Sequence, residues 1–224
     1  MDILQKHEVF QIELLEKLNS GKFLEPLVFG GGTMLRLCYE LNRYSVDLDF
    51  WFVRRVSEKS YFEKLKTYLE SAYEVTDAQI KHFTLLFEVR SKDYPKRLKV
   101  EIRKKKKVCD FQERIAFSKY STKQVMLKVH TPEQTMKNKV EAALERREIR
   151  DCFDLEFLLR QGVELTVSQD KLEQLEQVAT SFKEKDFKVT LGSALDAETR
   201  MYYTKSRFSY LLEKIQSNLQ KNTP

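Results

Sequence analysis

Residues 29–50 read FGGGTMLRLCYELNRYSVDLDF and place three consecutive glycines shortly before an Asp-x-Asp pair. The chain has only 6 glycines in 224 residues, so such a run indicates a special backbone requirement. Residues 27–29 form a short apolar run typical of a buried strand, and residues 33–41 have helical periodicity. The stretch predicts a strand, a glycine turn, a helix with Thr33 as its N-cap, and a second strand over residues 46–53.

The glycine turn offers a place for a phosphate. Gly30, Gly31 and Gly32 can adopt positive φ and let the backbone lie close to a ligand. The N-terminus of the following helix presents N–H groups and the positive end of the helix dipole, which together bind phosphate. A glycine turn that serves only packing is at least as common, and this one matches neither GxGxxG nor GxxxxGK[ST].

The Asp-x-Asp pair changes that balance. On a strand, Asp47 and Asp49 project from one face while Leu48 and Phe50 project from the other. Two carboxylates on one face repel each other unless a cation lies between them, and Mg²⁺ prefers oxygen ligands of this kind. Beside a phosphate-binding turn, the pair therefore favours a metal site over an ordinary half-exposed strand.

A metal pair for phosphoryl transfer usually needs a third carboxylate from a neighbouring strand. Glu101, in Val100-Glu101-Ile102, alternates with apolar neighbours and is the predicted third metal ligand. Glu88 is the alternative, and only the order of the strands can decide between them.

Composition indicates a globular protein, since 42% of the residues are hydrophobic and 33% are charged. No apolar run approaches the roughly 18 residues of a membrane helix, and the N-terminus lacks a signal-peptide pattern, so we expect no membrane association and a cytoplasmic location. The three cysteines are odd in number and lack CxxC spacing, which disfavours a disulfide framework and a zinc site.

A basic balance favours a polyanionic partner. The net charge is +6, with a sequence pI near 9.0. The densest patch is RKKKK at residues 103–107, which could contact a phosphate backbone or could simply be the solvated end of a strand.

Two domains are predicted. Residues 1–130 form a mixed α/β domain, and residues 131–224 form an α-helical bundle that begins at Thr131-Pro132-Glu133. The fold class is therefore α/β (α+β), with a mixed sheet. The helices of the predicted bundle cover residues 132–147, 149–160, 168–183 and 204–219.

Basic residues near the start of the predicted bundle are spaced as one helical stripe. Lys139, Arg146 and Arg150 share one side of a helix by their spacing. Asp151 and Asp154 follow closely. On their own these residues are equally consistent with a solvated helix face, a helix cap and local salt bridges.

The opening motif of one known family resembles residues 31–52, GGTMLRLCYELNRYSVDLDFWF. This is the nucleotidyltransferase-like AbiEii/AbiGii abortive-infection toxin family, which belongs to the DNA polymerase β-like nucleotidyltransferase superfamily. A second segment, residues 139–159 (KVEAALERREIRDCFDLEFLL), is similar to the later motifs of that family, with RDxxDL at residues 150–155. The resemblance extends over residues 25–160.

The resemblance implies a role for each motif residue. Asp47 and Asp49 would bind Mg²⁺, in a site that holds two metal ions. The remaining residues would bind the nucleotide or complete the catalytic site. Nucleotide binding would involve Gly31, Gly32, Thr33, Arg43, Ser45, Lys139 and Arg150. The catalytic set would add Asp151 and Asp154. One of these two aspartates would act as a base or orient the substrate, and the other would orient the basic helix. The bundle would thus contribute Lys139 and the RDxxDL element to the site.

The implied reaction moves a nucleoside monophosphate from a nucleoside triphosphate to an acceptor hydroxyl. The resemblance also implies RNA, especially transfer RNA, as the acceptor and a cognate antitoxin protein as a partner. Two alternatives are an enzyme that attaches the nucleotide to a protein hydroxyl and an inactive module that binds a nucleotide or a partner. Neither the preferred base nor the oligomeric state follows from the sequence.

Overall fold

Two compact units make up the chain in the computed structural model, which describes residues 1–105 and 108–221. The first unit consists of Met1–Glu40 and Tyr44–Thr131. The second consists of Leu41–Arg43 and the chain from Pro132 onward. The segment 41–43 thus belongs to the second unit, although it lies well inside the predicted first domain of residues 1–130.

The first unit is a mixed sheet with helices. Its helices are α1 (Ile3–Ser20), α2 (Gly31–Tyr39) and α3 (Glu58–Glu70). Its strands are β1 (Leu27–Gly30), β2 (Leu48–Phe52), β3 (Glu74–Ile80), β4 (Thr84–Arg90), β5 (Leu98–Arg103), β6 (Phe111–Phe117) and β7 (Gln124–His130). The strand order is β3-β4-β5-β2-β1-β7-β6. The pairs β1–β7 and β2–β5 are parallel, and the other neighbouring pairs are antiparallel.

Alternation along the central strands gives the sheet two unlike faces. Leu48, Phe50 and Phe52 of β2 are buried, and so are the apolar residues of β5. Phe62 of α3 stacks on Phe87 of the same buried face, with ring centroids 4.9 Å apart. Burial of each such side chain contributes about 1.5–3 kcal/mol, so this face supplies much of the core. We call the opposite face of β2 and β5 the polar face, which carries Asp49, Trp51, Lys99, Glu101 and Arg103.

The second unit is helical. It comprises α4 (Pro132–Arg146), α5 (Ile149–Arg160), α6 (Gln169–Ser181), a π-helical turn (Asp186–Leu191), a 3₁₀ turn (Gly192–Ala194), α7 (Ala197–Ser206) and α8 (Ser209–Lys221). Its core contains a cluster of rings in which Phe208 contacts Phe187 and Tyr203. The buried carboxylate of Glu156 accepts hydrogen bonds from the Tyr203 hydroxyl and from the backbone N–H of Leu211, and so ties α5 to α7 and α8.

The predicted fold class is confirmed, and several element boundaries are corrected. Thr33 is not the N-cap of α2, because the helix begins at Gly31 with Gly30 in the capping position. Strand β2 begins at Leu48, so Asp47 immediately precedes it. The predicted helix 204–219 is two helices, since the chain turns at Arg207 with φ 49°.

Three further features concern the predicted compartment and cysteines. In the described part of the chain, no helix is long and apolar enough to cross a membrane. Cys38 and Cys152 are buried, and this burial raises the pKa of each thiol to about 12. Cys109 is partly exposed.

Candidate active site

The glycine turn between β1 and α2 lies against a carboxylate. Gly31 has φ 76°, a conformation that glycine adopts far more readily than other residues. A Cβ atom at Gly31 would lie 3.1 Å from the Cβ of Asp49 and would overlap its Oδ2 atom. Gly30 pairs with Asp49 in the ladder between β1 and β2. The turn therefore needs glycine both for its conformation and for the close approach of the Asp49 carboxylate.

Thr33 is fully buried at the first turn of α2. Its hydroxyl donates a hydrogen bond of 2.5 Å to the backbone carbonyl of Asp47. The sequence resemblance implies that Thr33 holds the triphosphate. In the structure its hydroxyl fixes the chain that carries Asp47.

Two side chains of α1 hold the neighbouring carbonyls. The amide of Gln11 donates to the carbonyl of Ser45 over 2.9 Å, and Nε2 of His7 lies 2.8 Å from the carbonyl of Val46. Since a carbonyl only accepts, Nε2 of His7 must carry a proton. Burial lowers the pKa of His7 below 6.5 and so favours the neutral ring. His7, Gln11 and Thr33 thus hold three consecutive carbonyls, and we call them the carbonyl clamp.

The strand order brings Glu101 next to Asp49. The two residues are direct partners in the parallel ladder between β2 and β5, so their side chains leave the same face. Glu101 also lies 4.0 Å from the ammonium group of Lys99. Glu88 lies on β4, one strand further from Asp49, where it pairs with Lys99 in the ladder. Of the two candidates for a third carboxylate, the topology therefore places Glu101 closer to the Asp-x-Asp pair.

Glu88 has its own partners. Its carboxylate accepts hydrogen bonds from Thr76 over 2.7 Å and from Arg97 over 2.9 Å. These two hydrogen bonds lower the pKa of Glu88. Glu88 therefore takes part in a separate surface network on β3 and β4.

The carboxylates of Asp47, Asp49 and Glu101 are oxygen ligands of the kind that a hard cation prefers, although they do not form a complete coordination sphere. In residues 1–105 and 108–221, no group of three or more His, Cys, Asp or Glu side chains is arranged to hold a metal ion. Mg²⁺ usually binds one or two carboxylates and takes its other ligands from water and substrate phosphates. Asp47, Asp49 and Glu101 could supply the protein ligands of such a site.

A second cluster of charges lies within the helical unit. Lys139 of α4 contacts both acidic residues of α5, at 3.0 Å from Asp151 and 2.5 Å from Asp154. Asp154 also accepts a two-pronged contact from Arg43, at 2.6 and 2.7 Å. Arg146 donates to both oxygens of Asp151 at 2.9 Å. We call these five residues the charge cluster.

The two carboxylates of the charge cluster have different surroundings. Both are fully buried. Burial alone would raise the pKa of Asp154, but the charges and hydrogen bonds of Arg43 and Lys139 outweigh burial and lower that pKa. Asp151, in contrast, is paired with Arg146, whose side chain is 41% exposed. Asp154 is therefore enclosed by cations in the manner of an orienting group, whereas Asp151 is linked to the surface.

Family membership follows from the sequence as a whole. The family model described as "Nucleotidyl transferase AbiEii toxin, Type IV TA system" matches residues 13–216. The chain belongs to the AbiEii family. No curated protein is significantly similar in sequence to this AbiEii chain.

Solved structures share the fold. JHP933 from Helicobacter pylori is 20% identical, with a TM-score of 0.53 over 92% of this chain and 96% of that one. The nucleotidyltransferase toxin MenT4 from Mycobacterium tuberculosis H37Rv is 16% identical, with a TM-score of 0.54 over 96% of this chain and 85% of that one. At such low identity the similarity concerns the fold of the AbiEii chain.

Some motif residues of the AbiEii family occupy positions that the sequence did not reveal. Arg43 is buried in the charge cluster, and Ser45 is held through its carbonyl by the carbonyl clamp. Arg150 forms an ion pair with Glu148 and is about half exposed. Of the predicted basic patch, Lys104 pairs with Glu58 at 3.0 Å. Residues 106 and 107 lie outside the described part of the chain.

The sequence reading missed His7 and Gln11 of the carbonyl clamp. Both are polar residues on the buried side of α1, which is otherwise apolar apart from Glu8. Their spacing of four places them on one helical face. Two polar side chains on a buried face were therefore the available signal, since buried polar groups are normally hydrogen-bonded.

Proposed function

We propose that this AbiEii protein is a Mg²⁺-dependent enzyme that transfers a nucleoside monophosphate from a nucleoside triphosphate to a hydroxyl group of RNA. The hydroxyl loses its proton, its oxygen bonds to the α-phosphorus, and pyrophosphate leaves. The observation that carries the proposal is the contact between Gly31 and the Asp49 carboxylate. This contact would bring a phosphate-binding group, the N-terminus of α2, next to a metal-binding group, the carboxylate of Asp49. Glu101 lies beside Asp49 on the next strand and would extend the metal site.

The chain's own groups divide the work. The backbone N–H groups of Gly31 and Gly32 at the start of α2 would bind triphosphate oxygens, with the positive end of the helix dipole behind them. Asp47, Asp49 and Glu101 would hold the metal and orient the triphosphate relative to the acceptor. Mg²⁺, when bound there, supplies charge neutralisation for the triphosphate and activates the acceptor hydroxyl. Most of the rate enhancement would come from positioning and electrostatics.

The motif residues of the helical unit enter the proposal through the family resemblance. Lys139, Arg43 and Arg150 would contribute to nucleotide binding, with Asp151 and Asp154 as the acidic residues of the RDxxDL element. Within the charge cluster, Asp154 would orient Lys139 and Arg43. Asp151 would then be the base or the substrate-orienting group.

RNA is the preferred acceptor because the chain is basic and exposes cations on the sheet. Arg103 and Lys105 are exposed at the end of β5. Cations of this kind bind a nucleic-acid backbone through counterion release. A cognate antitoxin is proposed from family membership. Transfer to a protein hydroxyl is the competing reaction, and the same metal site would serve it.

Incubation of the purified protein with each labelled nucleoside triphosphate tests the proposal. Total RNA and total protein are offered together as acceptors, with and without Mg²⁺. We expect label in RNA, dependent on Mg²⁺, and none with the double variant Asp47→Ala/Asp49→Ala. Glu88→Gln is the matched control, since it removes a carboxylate one strand away, and it should transfer normally.

Two outcomes would overturn parts of the proposal. Label found in protein alone would replace RNA by a protein acceptor. Equal transfer by the wild type and by the Asp47→Ala/Asp49→Ala variant would remove both aspartates from the chemistry.

A further inference from the structure

The polar face continues beyond the carboxylates. Asp49 and Trp51 are two residues apart on β2, and Glu101 and Arg103 are two residues apart on β5. The ladder pairs Asp49 with Glu101 and Trp51 with Arg103. Two rows therefore lie side by side, an acidic row and a row of one aromatic and one cationic side chain. Their separation along the strands is about 7 Å.

Trp51 packs against His130 and remains partly exposed. Its ring centroid lies 4.8 Å from that of His130, with the planes at 60°. A Cβ at Gly30 would come within 2.6 Å of both Cζ3 of Trp51 and Nδ1 of His130, so the missing side chain of Gly30 makes room for these rings. Phe50 and Phe52 on the opposite face are at most 2% exposed, whereas Trp51 keeps part of its surface in solvent.

Arg103 completes the row. Its guanidinium carbon lies 5.9 Å from the centroid of the Trp51 ring, within the range of a cation–π contact. The residue itself is exposed. A packed indole with an exposed guanidinium beside it resembles the platforms on which proteins stack unpaired bases, while the guanidinium binds a phosphate or covers the base.

We propose that Trp51 and Arg103 form a stacking platform for an unpaired base of the RNA acceptor. This inference rests on the proposed function, because the acidic row defines where the acceptor hydroxyl must lie. A base stacked on Trp51 would lie two residues, or about 7 Å, along the strand from the acidic row. At that distance the hydroxyl of the same nucleotide can face the carboxylates. The triphosphate, in contrast, is assigned to the glycine turn on the other side of Asp49.

The test uses the fluorescence of Trp51, which is the only tryptophan of the chain. Short single-stranded RNA is titrated into the wild-type protein without nucleoside triphosphate and without Mg²⁺. We expect saturable quenching by RNA with an intact unpaired end. A matched RNA that lacks the terminal base should bind about tenfold more weakly, as expected for the loss of one stacked base, and should not quench.

Binding is followed in parallel by the anisotropy of a labelled RNA. RNA that binds without quenching, equal binding of the abasic RNA, or the absence of any binding would each overturn the platform. Quenching by a nucleoside triphosphate alone, to the same extent as by RNA, would assign the platform to the nucleotide and overturn the acceptor assignment.

Variants connect the platform to turnover. Trp51→Leu should raise the KM for acceptor RNA about tenfold and leave the KM for the triphosphate unchanged, whereas Trp51→Phe should retain most of the affinity. Arg103→Gln should also weaken RNA binding. Arg90→Gln is the matched control, because it removes one exposed charge at the end of β4 and should bind RNA almost normally.

The platform and the proposed function fail separately. A protein that transfers label to RNA, but with the same RNA KM in Trp51→Leu as in the wild type, would keep the function and lose the platform. A protein that binds RNA with quenching and never transfers label would lose the function instead.

Discussion

Replacing Asp154 by asparagine measures what the charge cluster contributes to the second unit. The carboxylate is fully buried and contacts Arg43 at 2.6 Å and Lys139 at 2.5 Å. Asparagine keeps the shape of the side chain but removes its charge, and it leaves two cations whose side chains are 5% and 9% exposed. Removal of one partner from a buried ion pair costs about 3–5 kcal/mol. We expect the lower end, about 3 kcal/mol, because Asp151 still faces Lys139.

Urea unfolding followed by circular dichroism is the assay. A loss of about 3 kcal/mol should lower the midpoint by roughly 1–2 M. Glu70→Gln is the control, since its pair with Lys66 is solvent-exposed at 3.8 Å and such a pair contributes at most about 0.5 kcal/mol. A midpoint for Asp154→Asn within the error of this control would refute the reasoning.

The pH dependence provides an independent check on the same residue. Because the folded-state pKa of Asp154 is lowered, its stabilising effect is present above the ordinary pKa of about 3.9 and is lost as the pH falls through the lower folded-state value. The Asp154→Asn variant should lack this part of the acid destabilisation. An identical loss of stability in acid for both proteins would contradict the proposed ionisation of Asp154.

Three further predictions concern the first unit. Thr33→Val should lower the free energy of unfolding in urea by about 1–3 kcal/mol, because the Asp47 carbonyl loses its hydrogen-bond donor. The same variant should need a higher Mg²⁺ concentration for transfer, whereas Thr33→Ser, which keeps the hydroxyl, should need the same concentration as the wild type. Gly31→Ala should abolish transfer and destabilise the fold, while Gly162→Ala, with φ 85° and no atom within 4 Å of a new Cβ, should cost only the backbone strain of about 1–2 kcal/mol. The free energy of unfolding should decline as the pH falls below about 6.5, since burial lowers the folded-state pKa of His7, and His7→Asn should show a shallower decline over the same range.

The local features of the fold were readable from the sequence. Helices α4 and α5 were predicted almost to the residue, because their periodicity is strong and Pro132 marks the start. The sequence also indicates strands over residues 82–89, 98–102 and 125–129, which correspond to β4, β5 and β7, but it gives no signal for β3 and β6. Both lie at an edge of the sheet, and neither has the strict alternation that one buried face would impose.

The candidate site was predictable only in part. The Asp-x-Asp pattern predicts Asp47 and Asp49 as metal ligands. The choice between Glu101 and Glu88 as the third ligand requires the strand order, which depends on pairing between distant segments. The same holds for Arg43. No local pattern connects it to Asp154, which lies 111 residues later in the chain.

The placement of residues 41–43 in the second unit has a consequence for folding during synthesis on the ribosome. Ribosomes that add roughly 5–20 residues per second would need about 6–22 s to reach Asp154 after making Arg43. During that interval Asp154, which pairs with the arginine in the folded protein, has not yet been made. A clone that starts at Pro132 would never acquire it, so dissection of the gene at that point should yield an incomplete helical fragment rather than an autonomous module.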